Sequence, residues 1–430
     1  MSFLFSEFII QELYGFCNIN NLLNTTLLFK EYKKHFFYWI LNSVYSLKYY
    51  NDTDFHNHIN SRIHDGKKQL SIIIINNQNI KDVSRLGNCH TLNLQFCNEI
   101  NYNICHLGNV NTLNLSGCNK IIDENICNLG NIKNLNLSGC NYITDYGIRH
   151  LGNVNTLDLS WCDKITNISF LGNIKILNLS VCNSITDVGL EILGNGNIHN
   201  LNLSHTNITD EGVKHLGKIH SLNISGCKIT DYSLKYLGKV HTLNLQGCRK
   251  ITDEGIKLIG NCHTLNLRCC NITDEGIKHL GNVYSLNLSH CKNITDVSCL
   301  SNVQILDVSW CVNITEESIR ILGLKNDSKD KVIFLSYTDL SDEGIKHLGN
   351  YHTLNLSHCK NITDEGIKHL SNCHTLNLSG CYKITDEGIK HLGNIHTLNI
   401  SGCRVSVVNC LSMVSNLNSS LCNIYKYLSW

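Results

Sequence analysis

The 430-residue chain contains no proline and, on inspection, no alanine. Motifs that usually carry proline must therefore be sought here without it. Charge of one sign is not in excess either, since 36 Lys and Arg stand against 35 Asp and Glu, a formal net charge of +1. A balance this close to neutral excludes a nucleic-acid or anionic-membrane surface that arises from net charge alone.

Long hydrophobic runs are also missing. The longest unbroken aliphatic run covers residues 72–75, far short of the roughly 20 residues that a membrane-spanning helix needs. The start of the chain lacks a basic region and carries Glu7 inside its apolar stretch, which disfavours a secretory signal peptide. We therefore expect a cytoplasmic protein, with the nucleus as an alternative, that does not bind membranes.

What the chain does contain is a repeat. The segment H-T-L-N-L-S-x-C-x-x-I-T-D-E-G-I-K-H-L-G-N-x recurs from about residue 80 to residue 403 at spacings of 20 to 24 residues, with one of 27. A degenerate earlier copy is predicted at residues 73–75 and a decayed last copy at residues 417–419. The Leu-x-Leu core begins at Leu92, Leu113, Leu135, Leu157, Leu177, Leu201, Leu222, Leu243, Leu265, Leu286, Leu306, Ile333, Leu354, Leu376 and Leu398.

Each copy predicts a strand, a turn and a helix. The T-L-N-L-S segment alternates with period two, so we expect its leucines to point inward and its Thr, Asn and Ser outward. The I-T-D-E-G-I-K-H-L segment places apolar residues at helical spacing after a Thr or Asp that can cap the helix. Its carboxylates would favour the positive end of the helix dipole. The exceptional spacing contains a polar insertion, residues 324–331, which predicts an enlarged loop.

This pattern resembles the cysteine-containing subclass of leucine-rich repeats, L-x-L-x-x-C-x-x-I-T-D-x-G, over roughly three quarters of the chain. The resemblance implies an α/β fold, a horseshoe-shaped leucine-rich-repeat solenoid. Parallel strands would line its concave side and helices its convex side.

The repeat explains most of the 23 cysteines. Thr206 and Thr338 replace the recurring cysteine in two copies, and a position that alternates between Cys and Thr suits a small, buried donor. We expect it to satisfy backbone carbonyls where each strand turns toward its helix. The recurring cysteines are Cys97, Cys118, Cys140, Cys162, Cys182, Cys227, Cys248, Cys270, Cys291, Cys311, Cys359, Cys381 and Cys403.

Zinc binding is the alternative, because 22 His accompany the cysteines. Zinc sites gather four ligands around one ion, whereas these residues recur singly along a stack, so we expect no metal and no cofactor. Protonation of the histidines in consecutive G-I-K-H-L segments is expected to lower stability below about pH 6. The consecutive histidines are His347, His369 and His391, and they belong to a row on the helical side that we expect to be partly exposed and that also includes His215 and His279.

The first 50 residues are rich in aromatic side chains and lack the repeat. Apolar residues at helical spacing predict two or three short helices here. The segment from Phe5 to Trp39 resembles an F-box, with Phe5 and Ser6 standing where the family pattern has Leu and Pro. The resemblance implies that a Skp-type adaptor is bound by Phe5, Glu7, Ile9, Ile10, Leu13, Phe16, Leu22 and Leu28.

The alternative is that these apolar residues only cap the open edge of the solenoid. The predicted organisation is then a small F-box-like helical head over residues 1–50 and a connecting segment with a degenerate first repeat over 51–79. About 15 repeats follow over 80–403, and a degenerate capping repeat covers 404–430.

Most outward strand positions are predicted to be monotonous columns of Thr, Asn and Ser. Where the columns break, a protein substrate could be recognised, because exposed Trp and Arg are enriched at interface hot spots. The alternative is that the tryptophans pack against neighbouring loops. The predicted substrate-binding residues are Asp158, Trp161, Arg268, Asp307, Trp310 and Phe334, and His205, His290 and His358 break a neighbouring column.

No glycine-rich phosphate loop, nucleophile elbow or unique convergent polar cluster stands out, so we expect no enzyme. An F-box-like head followed by cysteine-containing repeats resembles the substrate receptors of SCF-type (cullin-RING) ubiquitin ligases. The resemblance implies a Skp-type adaptor, a cullin scaffold and a protein substrate as partners, and no nucleic acid. The alternative is a stand-alone binding scaffold or decoy.

Overall fold

The computed structural model describes residues 38–63, 69–101, 103–326, 328, 330–406, 411 and 413–420. The predicted adaptor-binding residues, all between positions 5 and 28, lie outside these ranges. The chain forms two compact units, Met1–Asn178 and Leu179–Trp430. The longest described helix has eleven residues, and no helix in the described ranges combines the length and apolarity that a bilayer crossing requires.

In the described part of the N-terminal unit, seven parallel strands follow one another in chain order. They are β1 (Tyr38–Leu41), β2 (Gln69–Ile73), β3 (Thr91–Asn93), β4 (Thr112–Asn114), β5 (Asn134–Asn136), β6 (Thr156–Asp158) and β7 (Ile176–Asn178). The α-helices are α1 (Ser43–Asn51), α2 (Thr53–Ile63), α3 (Asp123–Ile126) and α4 (Asp145–Ile148), and 3₁₀ turns cover Ser84–Leu86, Ile104–Asn109 and Ser169–Leu171.

The described part of the C-terminal unit contains eleven strands. They are β8 (Asn200–Asn202), β9 (Ser221–Asn223), β10 (Thr242–Asn244), β11 (Thr264–Asn266), β12 (Ser285–Asn287), β13 (Ile305–Asp307), β14 (Val332–Phe334), β15 (Thr353–Asn355), β16 (Thr375–Asn377), β17 (Thr397–Asn399) and β18 (Asn416–Asn418). The α-helices are α5 (Leu190–Asn195), α6 (Asp210–Val213), α7 (Asp231–Leu237), α8 (Asp253–Ile256), α9 (Asp274–Ile277), α10 (Glu316–Leu324), α11 (Asp342–Ile345), α12 (Asp364–Ile367) and α13 (Asp386–Ile389). The 3₁₀ turns are Ser298–Leu300, Lys368–Leu370 and Lys390–Leu392.

Within each unit the strands pair in parallel with equivalent residues opposite one another. Leu243 pairs with Leu265 and Leu354 with Leu376, so the strand leucines form continuous buried columns. The decayed last copy obeys the same register, because Leu417 pairs with Leu398. The structure therefore confirms the predicted parallel-stranded repeat solenoid within each unit.

Two predictions about which residues face inward are wrong. In the degenerate first copy, Ile72 pairs with Leu92, and Ile72 and Ile74 are the buried residues, so the copy lies one residue earlier than predicted. A shift of one residue exchanges the two faces of a strand, and burying the larger set of aliphatic side chains selects this register. The serine after the second leucine was expected to face outward, yet Ser116 and Ser204 are more than nine-tenths buried.

The parallel sheet of the N-terminal unit begins inside the range that the sequence assigns to the helical head. Strand β1 pairs with β2 along its whole length. Helices α1 and α2 pack together behind these strands, with Tyr49 and Ile59 fully buried. The Ser46 hydroxyl donates to the carbonyl oxygen of Leu41 and accepts the N–H of Ile73, which joins the helix to both strands.

The recurring cysteines are confirmed as buried donors. Most of these thiols lie near a carbonyl of the preceding repeat; Cys118 Sγ, for example, is 3.2 Å from the oxygen of Leu94 and Cys311 Sγ 3.1 Å from that of Leu288. In the two copies with threonine, the hydroxyl donates within its own repeat instead, from Thr206 Oγ1 to the oxygen of Leu203 over 2.7 Å. The position therefore supplies a buried donor in both versions.

A carboxylate joins consecutive helices. From the sequence we expected this group only to interact favourably with the helix dipole. In most repeats the first helical Asp accepts two hydrogen bonds from the capping Thr of the next repeat. Asp342 accepts the backbone N–H of Thr363 over 2.8 Å and its hydroxyl over 2.6 Å. The same hydroxyl accepts the N–H of Glu365, which confirms the predicted threonine cap.

The glycine of the D-E-G segment is required by this carboxylate. A Cβ atom at Gly366 would lie 2.3 Å from Oδ1 of Asp342, closer than any real contact. Gly247 differs, because its φ of +71° demands the left-handed region while a Cβ there would meet no atom within 4 Å. One glycine is thus explained by close approach of the preceding repeat and the other by backbone conformation.

These contacts predict that Gly366→Ala lowers the free energy of unfolding by about 2 to 3 kcal/mol, because the new methyl group displaces the Asp342 carboxylate. Gly247→Ala should cost about 1 kcal/mol, the penalty for a left-handed alanine. Chemical denaturation of each purified variant, followed by circular dichroism, measures both values.

The matched control is the double variant Asp342→Ala/Gly366→Ala. Removing the carboxylate removes the clash, so its destabilisation should be smaller than the sum of the two single effects. Strict additivity of the two substitutions contradicts this explanation of the glycine.

Candidate protein-binding surface

The residue that follows the strand serine adopts a left-handed backbone in many repeats. Glycine occupies this position in several of them, for example Gly226 and Gly380, with φ near +70°. In others a large side chain stands there despite the positive φ, including Trp161 and Trp310 at +65°. Bulky residues rarely adopt this conformation. The repeats with a large side chain here therefore depart from their common sequence at a position that favours glycine.

Four of these large residues stack into one continuous row in the C-terminal unit, which we call the aromatic ladder. The ring centroids of His290 and Trp310 are 5.2 Å apart, those of Trp310 and Tyr337 3.9 Å, and those of Tyr337 and His358 4.4 Å. The planes are inclined by 11° to 15°. The ladder ends over Gly380, where a Cβ would lie 2.5 Å from the His358 ring.

The structure brings Arg268 and Trp310, two of the predicted substrate-binding residues, to this ladder. The Arg268 guanidinium lies 3.2 Å from Nε2 of His290, which in turn stacks on Trp310. Trp310 remains 40% exposed although both its faces are covered by neighbouring rings. The faces of the tryptophan therefore pack against neighbouring residues, as the alternative expected. Its edge remains open to solvent.

Phe334 and Trp161 are not members of the ladder. Phe334 is the last residue of β14 and half-buried. Trp161 belongs to the N-terminal unit, is 60% exposed and stacks on no other ring among the described residues of that unit. Of the four predicted residues that are not aspartates, the structure thus places two, Arg268 and Trp310, at the ladder.

Asp158 and Asp307 take the place of the strand asparagine without changing its role. In the other repeats the asparagine Oδ1 accepts the N–H of the residue two positions later, as Asn114 does from Ser116 over 2.9 Å. Asp158 accepts the N–H of Ser160 over 2.9 Å and Asp307 that of Ser309 over 3.0 Å. Their carboxylates are therefore already engaged in the local turn.

Sequence reasoning missed a second stacked row, at the residue before each strand, which we call the histidine column. His199, His220, His241 and His263 follow one another with centroid distances of 4.4, 4.4 and 4.5 Å, and Tyr284 continues the row at 4.7 Å. A shorter column of the same kind contains His352, His374 and His396. The signal was present in the recurrent H-T-L triplet, which puts histidine at one register position in successive strands.

The predicted histidine row on the helical side is confirmed as partly exposed. His215 and His347 are half-buried, and His279, His369 and His391 are exposed. No ring stacking joins these histidines to one another among the described residues. Their effect on acid stability stays a prediction.

The buried thiols have a raised pKa, as expected for structural groups. Burial raises the pKa of the Cys118 thiol to about 12 and that of Cys262 to about 11. Such thiols stay protonated at physiological pH, whereas nucleophiles and metal ligands act as thiolates. Among the described residues, no group of three or more His, Cys, Asp or Glu side chains is arranged to hold a metal ion.

Two histidines in these columns have a pKa below the ordinary value of the side chain. The pKa of His241 is lowered, first by desolvation of the stacked ring and then by repulsion from His220 and His263. The pKa of His374 is lowered by the same causes, with His352 and His396 as neighbours. The neutral imidazole is therefore the form that the folded state favours at these two positions.

Comparison with known proteins identifies the repeats. A family model described as Leucine Rich repeat matches residues 173–194, 195–217, 218–238, 239–260, 263–281, 352–371 and 374–393. These segments of the chain are therefore similar to leucine-rich repeats. No curated protein shows a significant match to this chain.

Among solved structures, a leucine-rich-repeat protein from Leptospira interrogans is 20% identical, with a TM-score of 0.53 over 81% of this chain and 95% of that one. The yeast complex of Rad7 and Elc1 is 19% identical, with a TM-score of 0.45 over 69% and 84% of the two chains. The functional domain of InlJ from Listeria monocytogenes, which includes a cysteine ladder, is 18% identical, with a TM-score of 0.43 over 68% of each chain. The first of these supports the leucine-rich-repeat fold of this chain.

The lowered pKa of His241 predicts that acidification destabilises the protein through this residue. Its unfolded form takes up a proton near pH 6.5 while the folded form resists it, so the unfolded state binds more protons and stability falls as pH decreases below about 6.5. His241→Asn should reduce the fall in melting temperature between about pH 7 and pH 5.

His279→Asn is the matched control, because it removes an exposed histidine on the helical side. Thermal melts of both variants and the parent across this pH range separate the two positions. An equal fall in melting temperature for His241→Asn and the parent contradicts the prediction.

Proposed function

We propose that this chain is a non-catalytic receptor that binds a protein partner through the edge of its aromatic ladder. The observation that carries the proposal is the exposed edge of Trp310, which the rings on either side hold in one orientation. Arg268 contacts His290, one of these two rings. Rigid aromatic side chains and arginine dominate the binding energy of protein interfaces. Leucine-rich repeats generally present extended binding surfaces of this kind.

The polar groups that recur in the described repeats have structural roles, which suits a binding protein. The recurring thiols are buried and protonated, and the strand carboxylates Asp158 and Asp307 are engaged in local turns. A catalytic site requires a nucleophile, a base and an electrophilic group that converge on one point. The polar groups of these repeats instead recur singly along the strands.

We further propose that the receptor is the substrate-recognition subunit of an SCF-type ubiquitin ligase. The support is the F-box-like pattern from Phe5 to Trp39, whose predicted adaptor-binding residues all precede the first strand of the sheet in the sequence. In this role the chain performs no chemistry and holds the substrate near a thioester made elsewhere, so its contribution is proximity. A Skp-type adaptor and a cullin would be its partners.

The second candidate is a stand-alone scaffold or decoy whose first residues only cap the solenoid. Strand β1 and helices α1 and α2 already precede the first leucine-rich copies and bury Tyr49 and Ile59. This reduces the need for residues 1–37 as a cap and favours their use in adaptor binding.

The adaptor role is tested by the double variant Ile9→Asp/Leu13→Asp in a pulldown from eukaryotic cytosol. Charges on the predicted apolar face should abolish recovery of the Skp-type adaptor and the cullin, because burying two unpaired carboxylates is prohibitive. Mass spectrometry of the recovered proteins gives the readout.

The matched control is Val188→Asp/Ile192→Asp, which places the same charges on two exposed apolar residues of the C-terminal unit and should retain both partners. If the parent protein recovers neither adaptor nor cullin, the ligase role is wrong and the scaffold reading replaces it.

The ladder role is tested by Trp310→Ala. Loss of the central ring should weaken binding of the partner by about 2 kcal/mol, a 30-fold loss, if Trp310 is a hot spot. Quantitative pulldown with the parent as reference measures the change. Tyr232→Ala is the control, since Tyr232 is 48% exposed and lies in α7 on the helical side. Equal recovery of every partner by Trp310→Ala and the parent refutes the proposal.

A further inference from the structure

The histidine column is a strip of exposed imidazole edges along the C-terminal unit. Successive planes are inclined by only 10° to 15°, so each ring covers the face of the next. All four histidines are exposed in spite of this stacking. What the column offers to a partner is therefore a row of ring edges about one strand spacing apart.

Two rings of the column, His241 and His263, contact the hydroxyl of the following threonine. Nδ1 of His241 lies 3.3 Å from Oγ1 of Thr242, and Nδ1 of His263 lies 3.3 Å from Oγ1 of Thr264. This contact uses the nitrogen nearest the backbone, and Nε2 of both rings has no hydrogen-bond partner among the described residues. The outer nitrogens are thus available to an external group.

The charged groups around the column are all cationic. The segments that lead into and form the strands beside it, residues 194–202, 217–223, 238–244, 260–266 and 281–287, contain no Asp or Glu. Their charged residues are Lys218 and Lys239, two positions before His220 and His241. Both lysines are exposed and form no ion pair among the described residues. The other titratable neighbours are Tyr284 at the end of the row and the buried thiol of Cys262.

We propose that the histidine column, together with Lys218 and Lys239, is a docking strip for an acidic segment of a partner protein, and that this docking takes up protons. A protonated imidazole donates through Nε2, and charge-assisted hydrogen bonds to carboxylates are about twice as strong as neutral ones. The lysines supply attraction before any histidine is protonated.

Proton uptake follows from the spacing of the rings. Two imidazolium ions with centroids 4.4 Å apart repel each other. Desolvation lowers the pKa of His241 most, and this repulsion lowers it further. A carboxylate beside the Nε2 edges offsets the repulsion and makes protonation easier. By linkage, acidification must then strengthen binding of the acidic segment.

The covered ring faces favour an acidic protein segment over a nucleic acid. Proteins that hold single-stranded nucleic acids stack bases on exposed aromatic faces, and the faces of this column are occupied by its own members. Edge-on N–H donors suit carboxylate oxygens instead. The short column of His352, His374 and His396 has the same geometry but no lysine two positions before any of its members, so it should bind the same segment more weakly.

The test is the binding of a fluorescein-labelled deca-aspartate peptide to the full chain, followed by fluorescence anisotropy at constant ionic strength. Between about pH 7.5 and about pH 5.8 the peptide stays ionised while histidine becomes protonated. The affinity should rise about tenfold, and titration calorimetry in buffers of different ionisation enthalpy should show proton uptake.

The quadruple variant His220→Asn/His241→Asn/His352→Asn/His374→Asn interrupts both columns and should lose this rise. The control His215→Asn/His279→Asn/His347→Asn/His369→Asn removes the same number of histidines from the helical side and should keep it. Thermal melts at neutral pH establish that both variants are folded.

Three results would overturn the proposal: an affinity that does not rise on acidification, an equal rise in both quadruple variants, or tighter binding of deca-thymidine single-stranded DNA than of the peptide. The last result would assign the strip to nucleic acid instead. None of these outcomes depends on the first 37 residues, so failure here is distinguishable from failure of the ligase role.

Discussion

The structure depends on the exact register between one repeat and the next. A single repeat cannot bury its own leucines, so it becomes stable only when equivalent residues of its neighbour lie directly opposite. Three contacts impose this register: Leu243 pairs with Leu265, the thiol of Cys270 donates to the oxygen of Leu245, and Asp253 accepts two hydrogen bonds from Thr273. They act in the core, at the strand end and at the helix start, and each joins two repeats.

The same register creates the surfaces. Because every repeat is translated onto the last, a side chain that recurs at one position becomes a column. The ring centroids of the histidine column are 4.4 to 4.7 Å apart, about one strand spacing. Recurrent histidine produces stacked rings with lowered pKa at His241 and His374. Large residues in place of glycine produce the aromatic ladder at the opposite end of the strands. Strands β8–β12, which follow the histidine column, have a neutral exposed face with Asn, Thr and Ser at its outward positions.

The strands, the cysteine donors and the threonine caps were predictable, because each rests on local periodicity and on chemistry that acts over a few residues. Phe334 interrupts the columns in the sequence, but the sequence could not tell that it is not part of the aromatic ladder, since the rotation of each side chain is set by its neighbours in the stack. Asp158 looked exceptional and proved to replace asparagine in an ordinary turn. The buried serines were missed because alternation alone does not show where a strand ends and a turn folds back.

The sequence by itself determined the repeat unit and its inward-facing leucines and cysteines, because hydrophobic period and residue size are enough to specify them. It also carries the F-box-like pattern of the first residues, on which the ligase proposal rests. Only the tertiary structure decided which outward side chains meet, because residues some 21 positions apart become neighbours when strands pair in parallel. The stacking of His290, Trp310, Tyr337 and His358, and that of the histidine column, are properties of this pairing and of no single repeat.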